Sequence, residues 1–196
     1  DTEDGTTFTH SSGTVTFTGN TNPQIRNRSG ESFNNIVINT TGGTPIVETQ
    51  RDIAIAGNLT IVEGTFRSYG TNARTITVTG NVSVEDGGTL GGGSANTANH
   101  SFGSLTIADG GTYTATSGTT TITSIAASWS VDLVSGGTLT DNNGTFLFNS
   151  ASDQKVRLLG TGNFYNVTVS KSDNDMVQGS NLTILNNLDI TLAAVH

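Results

Sequence analysis

Few residues in this chain could do chemistry. The histidines are His10, His100 and His196, far apart and each in a polar stretch. Nucleophilic catalysis needs Ser or Cys beside a His that a carboxylate orients. The chain has no cysteine, and nothing in the histidine spacing supplies that arrangement. Polysaccharide cleavage is the enzyme class to test. Glycosidases flank the scissile bond with two carboxylates; lyases use clustered carboxylates for Ca²⁺ and an Arg or Lys base. Glu63, Asp86 and Asp109 recur in equivalent turns, and Arg26, Arg28 and Arg51 could serve as a base or an anion contact. Stacked about 5 Å apart, the three acids would repel unless solvated or bridged by a cation. Ordinary turn acids facing water give the same pattern. Arg26 also aligns with Arg157 in a long internal repeat, which favours a repeated structural position.

Asp173-Asn174-Asp175 and Asp141-Asn142-Asn143-Gly144 offer oxygen ligands of the kind Ca²⁺ takes. Neither matches an EF-hand loop or a repeated calcium nonapeptide, and tight turns require the same residues. No metal or other cofactor is therefore expected; Asp173 and Asp175 remain the candidates should Ca²⁺ bind. Trp129 could stack on a sugar ring, but it immediately precedes a strand, where core packing or a cap accounts for it as well. Trp129, Arg26 and Arg28 are the expected ligand contacts. Thr75–Thr79 and Thr119–Thr123 present alternate threonines, as ice-binding arrays do, but Asp52 and Ala54 break the array around Ile53. The Asn-x-Ser/Thr sites at Asn58, Asn81 and Asn166 arise easily from this composition and predict no glycosylation.

The elements that position these residues follow from a repeat. Asn81–Leu90 matches Ser104–Tyr113 in character at an offset of 23, and Ser130–Leu139 repeats the unit 26 further on. Asn58–Phe66 is the same unit one residue shorter, and Asn35–Ile38 is its start. Ile36, Leu59, Val82, Leu105 and Val131 form one apolar column; Ile38, Ile61, Val84, Ile107 and Leu133 form a second. The residue between them is mostly polar, which is strand alternation. Phe66, Leu90, Tyr113 and Leu139 recur further along each unit, as do Ile53, Ile76 and Ile122. A period of about 21–26 residues with three short strands predicts a right-handed parallel β-helix, a β-solenoid. Residues 1–196 are expected to form one such domain of eight or so coils.

A longer repeat lies above the short one. Residues 4–41 align without gaps onto 135–172, and after a two-residue deletion the match runs on from Ile53–Ile61 to Leu182–Ile190, so 4–61 corresponds to 135–190. On this alignment the chain stops in the middle of a copy, and more chain or a partner is expected to continue the stack. Val131 to Phe146 spans only 15 residues, too short for a full coil, so a hairpin or an axis shift is expected there. The alternative fold is a two-sheet β-sandwich, which turn-separated short strands also suit.

Composition narrows the partners. A net charge of −8 with eight Lys+Arg residues argues against duplex nucleic acid and anionic membranes. No apolar run reaches the ~18 residues of a membrane helix, so no membrane insertion is expected. Charged residues are only 12% of the chain while Val, Ile and Thr abound, which argues against disorder.

Gly13-Thr-Val-Thr-Phe-Thr-Gly19, Phe33-Asn-Asn-Ile-Val-Ile-Asn39 and Gly57-Asn-Leu-Thr-Ile61 resemble repeats of large bacterial surface and adhesin-like proteins, and of phage fibre and virion-surface proteins. The resemblance implies a β-solenoid and an extracellular, cell-surface or virion location, and it carries no catalytic residues. The expected function is a non-catalytic structural or adhesive module that self-associates or stacks end-on. The alternative is a β-helix that binds or processes a surface glycan.

Overall fold

In this chain, short runs of Ile, Val, Leu and Phe at alternate positions are separated by Gly, Asn and Asp. Each run is too short to bury its apolar edge alone, so it must find the same edge of the next run. The computed structural model describes residues 8–43, 45–68, 73–91, 97–123, 129–171 and 175–192. Among them there is no helix, and therefore none long and apolar enough to cross a membrane. Every strand pairing is parallel. The strands stack as a β-solenoid of about seven turns, which rules out the sandwich, whose antiparallel pairs would have to appear. At ~4.8 Å per turn the stack is roughly 30 Å long.

Each turn visits three faces. The first holds β1 (Thr14–Thr18), β4 (Asn35–Asn39), the start of β7 (Leu59–Ser68), the ends of β8 (Ile76–Val84) and β10 (His100–Ile107), β13 (Val131–Leu133), β16 (Gln154–Leu158) and β18 (Met176–Gln178). The second holds β2 (Gln24–Ile25), β5 (Ile46–Thr49), the end of β7, β9 (Gly88–Leu90), β11 (Thr112–Thr114) and β14 (Thr138–Thr140). On the third lie β3 (Ser32–Phe33), β6 (Ile53–Ile55), the starts of β8 and β10, β12 (Thr119–Ile122), β15 (Thr145–Phe148), β17 (Phe164–Lys171) and β19 (Ile184–Leu192).

The register confirms the columns. Ile36, Leu59, Val82, Leu105 and Val131 pair in succession on the first face, and Val156 continues them. Phe66, Leu90, Tyr113 and Leu139 do so on the second. All are essentially inaccessible to solvent, and full burial of such side chains contributes about 1.5–3 kcal/mol each. Ile122 departs from expectation. It pairs with Phe102, in the Ile55–Val78 row, and Thr120 takes the place in line with Ile53 and Ile76. The polar side chain is tolerated there because the buried Tyr113 hydroxyl lies 2.9 Å from Thr120 Oγ1. Larger rings fill this middle section: Phe102 meets Tyr113 edge-on at 6.0 Å, and Phe146 packs on Phe164 at 4.6 Å.

The segment 131–146 is neither a hairpin nor an axis shift. Val131, Leu139 and Phe146 lie on the first, second and third faces of one ordinary turn, and the full circuit ends at Val156, 25 residues on. The long repeat returns rotated by one face. β1 and β4 stack on the first face, whereas their sequence equivalents, β15 and β17, stack on the third. One sequence unit can serve either face because both ask for the same thing, an alternating strand in parallel register.

The corner between the third and first faces is closed by asparagine. Asn35 Oδ1 accepts from Asn58 N at 2.8 Å, Asn58 Oδ1 from Asn81 N at 2.9 Å, and Asn81 Oδ1 from Ser104 Oγ at 2.8 Å. Asn58 and Asn81 thereby have structural work. Gly80 and Gly103 precede two of these positions because the coils approach closely. A Cβ on Gly80 would lie 2.6 Å from Gly57 O, and one on Gly103 2.5 Å from Gly80 O.

Candidate functional site

Where the second face turns into the third, the first three coils each leave an arginine at the surface. Gln50 N is bonded to Ile25 O and Ile53 N to Thr75 O, so Arg26, Arg51 and Arg74 come from successive coils. With Asn27, Ser29, Gln50 and Asp52 they line an open cleft of 450 Å³. The walls are tied together across coils. Asn27 Nδ2 donates to Asp52 O at 3.0 Å, and Asp52 Oδ1 accepts from Thr75 N at 2.9 Å. Thr49 Oγ1, buried, donates to Arg51 O and holds that backbone. Arg26 Nη2 bonds Gln24 Oε1 at 3.1 Å.

Four buried side-chain polar atoms among the described residues have no hydrogen-bond partner, and three belong to this cleft: Asn27 Oδ1, Gln50 Nε2 and Arg74 Nε. The fourth, Ser68 Oγ, ends β7, one coil on from Thr49. Unpaired buried polar groups cost free energy and are rare, so three in one cleft single it out. Three of the chain's eight Lys+Arg residues meet one carboxylate there, in a protein of net charge −8. Arg26 and Arg51, which the sequence offered as a base or an anion contact, both line the cleft. Arg28 adjoins the cleft without lining it; its backbone N donates to Glu31 Oε2. Asn27, Gln50 and Arg74 were missed, although arginine recurring at 26, 51 and 74, close to the coil period, was a usable signal.

The other chemistry-bearing residues are placed apart from it. Asp86 and Asp109 fold over the next coil's turn: a Cβ on Gly110 would run into Asp86 Oδ1, and one on Gly136 into Asp109 Oδ1. Those glycines have φ of 73° and 87°, a backbone that suits glycine. Glu63 lies likewise against Gly87. This ladder reads as turn acids. Asp141 forms an Asx turn, its Oδ1 accepting from Asn143 N at 2.9 Å, with Asn142 and Asn143 at positive φ. Asp173 lies outside the described residues. Asp175 is exposed, and its backbone N donates to Asp153 Oδ1 at 3.0 Å. The cation in this region is Lys171, whose buried Nζ donates to Ser150 O, Ser152 O and Gln154 Oε1. No group of three His, Cys, Asp or Glu able to hold a metal occurs among the described residues.

Trp129 packs laterally. The Arg157 guanidinium sits 4.8 Å from its ring centroid and pairs with both Asp132 oxygens, and the indole edge occupies the space a side chain at 179 would need. His10 Nδ1 accepts from Ser12 N. His100 is buried, stacks on Phe102 and accepts Ile76 N at 3.1 Å; burial pushes its pKa down to about 4. Its ring faces the interior. His196 lies outside the described residues.

No family model, curated protein or solved structure matches this chain.

The last described strand, β19, lays Leu188 on Val167 and Ile190 on Val169. Val167 and Val169 are buried, while Leu188 and Ile190 are 50% and 55% exposed. They border an apolar hollow lined also by Phe164, Met176, Leu182 and Ile184.

Proposed function

We propose that the chain is a non-catalytic structural or adhesive module, a rigid rod segment of an extracellular fibre, surface adhesin or virion appendage. The observation that supports this reading is the last described coil. Leu188 and Ile190 stand in the inward columns of the third face, at the positions that each coil from β6 to β17 buries. A further coil in register, from continuing chain or from a second copy, would bury them and pair the open β19 edge. Parallel coils joined by backbone bonds along the axis suit length and stiffness. The threonine-rich outward rows, with Leu147 and Asp189 interrupting Ser101, Thr121 and Thr168, offer no continuous flat array.

Sedimentation velocity over a wide concentration range tests the reading. Species should grow with concentration, and Leu188→Lys/Ile190→Lys should abolish the growth while the circular dichroism spectrum stays that of β-structure. A wild-type protein that remains monomeric at every concentration overturns end-on association. Incubation with acidic and neutral polysaccharides should release no new reducing ends or unsaturated products; release of either would overturn the non-catalytic assignment.

A further inference from the structure

We propose that the arginine cleft on the rod's flank binds an acidic polysaccharide, one whose sugars carry carboxylate or sulfate groups beside free hydroxyls. The inference is independent of whether the rod stacks end-on, because the cleft is formed within the first three coils.

The chemistry of the unpaired atoms selects the ligand. Gln50 Nε2 and Arg74 Nε are donors without acceptors, and the Arg26 and Arg51 guanidinium groups add further donors and positive charge. Together they call for an oxyanion, which guanidinium groups hold through paired, charge-assisted bonds. A bare inorganic anion leaves the rest unanswered. Asn27 Oδ1 is an acceptor without a donor, and Asn27 is only 6% exposed. Asp52 is a second acceptor on the same wall. Asn27 Oδ1 calls for a hydroxyl or amide hydrogen from the occupant, and the exposed Asp52 carboxylate, one of whose oxygens already accepts from Thr75 N, can take another. A uronic acid or a sulfated sugar presents an oxyanion and hydroxyls on one ring and answers both needs.

Polymer rather than monosaccharide follows from the arrangement. The three arginines ascend one per coil, at a spacing of ~4.8 Å, so they form a charged track along the axis. The cleft is open and polar, and its volume of 450 Å³ lies in the range of ligand clefts, roughly 300–1,000 Å³. With a chain of net charge −8 around it, a polyanion is drawn to this one flank and repelled elsewhere.

The test is isothermal titration of the full chain with a polyuronate, a sulfated glycan, a neutral glucan and inorganic sulfate. Binding of the polyuronate or the sulfated glycan is expected, weakening as salt rises; which one binds tighter names the anion. Arg51→Ala and Arg74→Ala should each weaken it at least tenfold, and Asn27→Asp should weaken it as well by replacing the amide with a fixed negative charge. Lys155→Ala, an exposed charge on a distant coil, should leave it unchanged. Arg51 is exposed, so its variant folds and keeps the wild-type melting curve. Binding of inorganic sulfate alone, equal binding of the neutral glucan, no binding of either acidic polymer, or an equal loss in Lys155→Ala each overturns the proposal.

Discussion

Replacing Gly80 by Ala probes the close approach of the coils at one atom. Gly80 N donates to Gly57 O at 2.9 Å, and a Cβ added to Gly80 would sit 2.6 Å from that same oxygen and run into Asn58 Oδ1. The φ of Gly80 is an ordinary negative one, so the penalty is contact and not backbone strain. Overpacking of this kind costs about 1–3 kcal/mol. Displacing Asn58 also loosens its bond to Asn81 N, adding about 1 kcal/mol. Reduced freedom of the unfolded chain offsets about 0.4–1 kcal/mol. The net expectation is a loss of about 2–3 kcal/mol, read from urea unfolding followed by circular dichroism. Gly30→Ala is the contrast: nothing lies within 4 Å of its Cβ, but its φ is 85°, so it should lose only about 1 kcal/mol. Asn58→Ala in the Gly80→Ala background should recover part of the loss, because it removes one of the two obstacles and leaves Gly57 O. A Gly80→Ala protein within ~0.5 kcal/mol of wild type, or no more affected than Gly30→Ala, would refute the close approach of the coils at this corner.

Other perturbations test separate interactions. His100 is held neutral in the fold at a pKa of about 4 against 6.5 when unfolded; the unfolded chain binds the extra proton first, so stability falls as pH drops from 6.5 to 4, by up to roughly 3 kcal/mol. In His100→Gln, which cannot charge, that slope should flatten in unfolding curves measured across this window. Lys171→Met leaves two carbonyls and Gln154 without their buried donor and should cost about 2–4 kcal/mol in the same assay. Trp129 is the only tryptophan, so Arg157→Ala, which removes its cation partner and frees Asp132, should shift the fluorescence to the red and make it easier to quench, with the far-ultraviolet spectrum unchanged.

The columns were legible because apolar residues recur at 23 with a polar residue between them, a signal that survives variation in coil length. What happens at 131–146 was not, because a linear offset cannot distinguish a coil that is short from a unit that has moved to another face. Only the register of β15 against β12 reveals that Phe146 belongs to the third face. Thr120 and His100 were also illegible as interior residues: both are polar, and their partners are reached only in the fold, Tyr113 Oη across the interior of the same coil and Ile76 N from the coil before. At the cleft, Arg26 and Arg51 announced themselves by charge. Asn27 and Gln50 did not, since an unpaired amide atom is a property of packing.

The most direct measurement of the stacked rod uses spin labels on the outward row of the first face. Thr60 and Thr106 are two turns apart, each paired through Ser83. Labels on cysteines placed there, in a chain with no other cysteine, should sit about 10 Å apart along the axis and broaden each other's spectrum strongly. Labels at Thr60 and Asp132, one turn further, should interact more weakly, at about 14 Å. Spectra without dipolar broadening for the first pair, or a shorter separation for the second, would contradict coils laid one over another in this register.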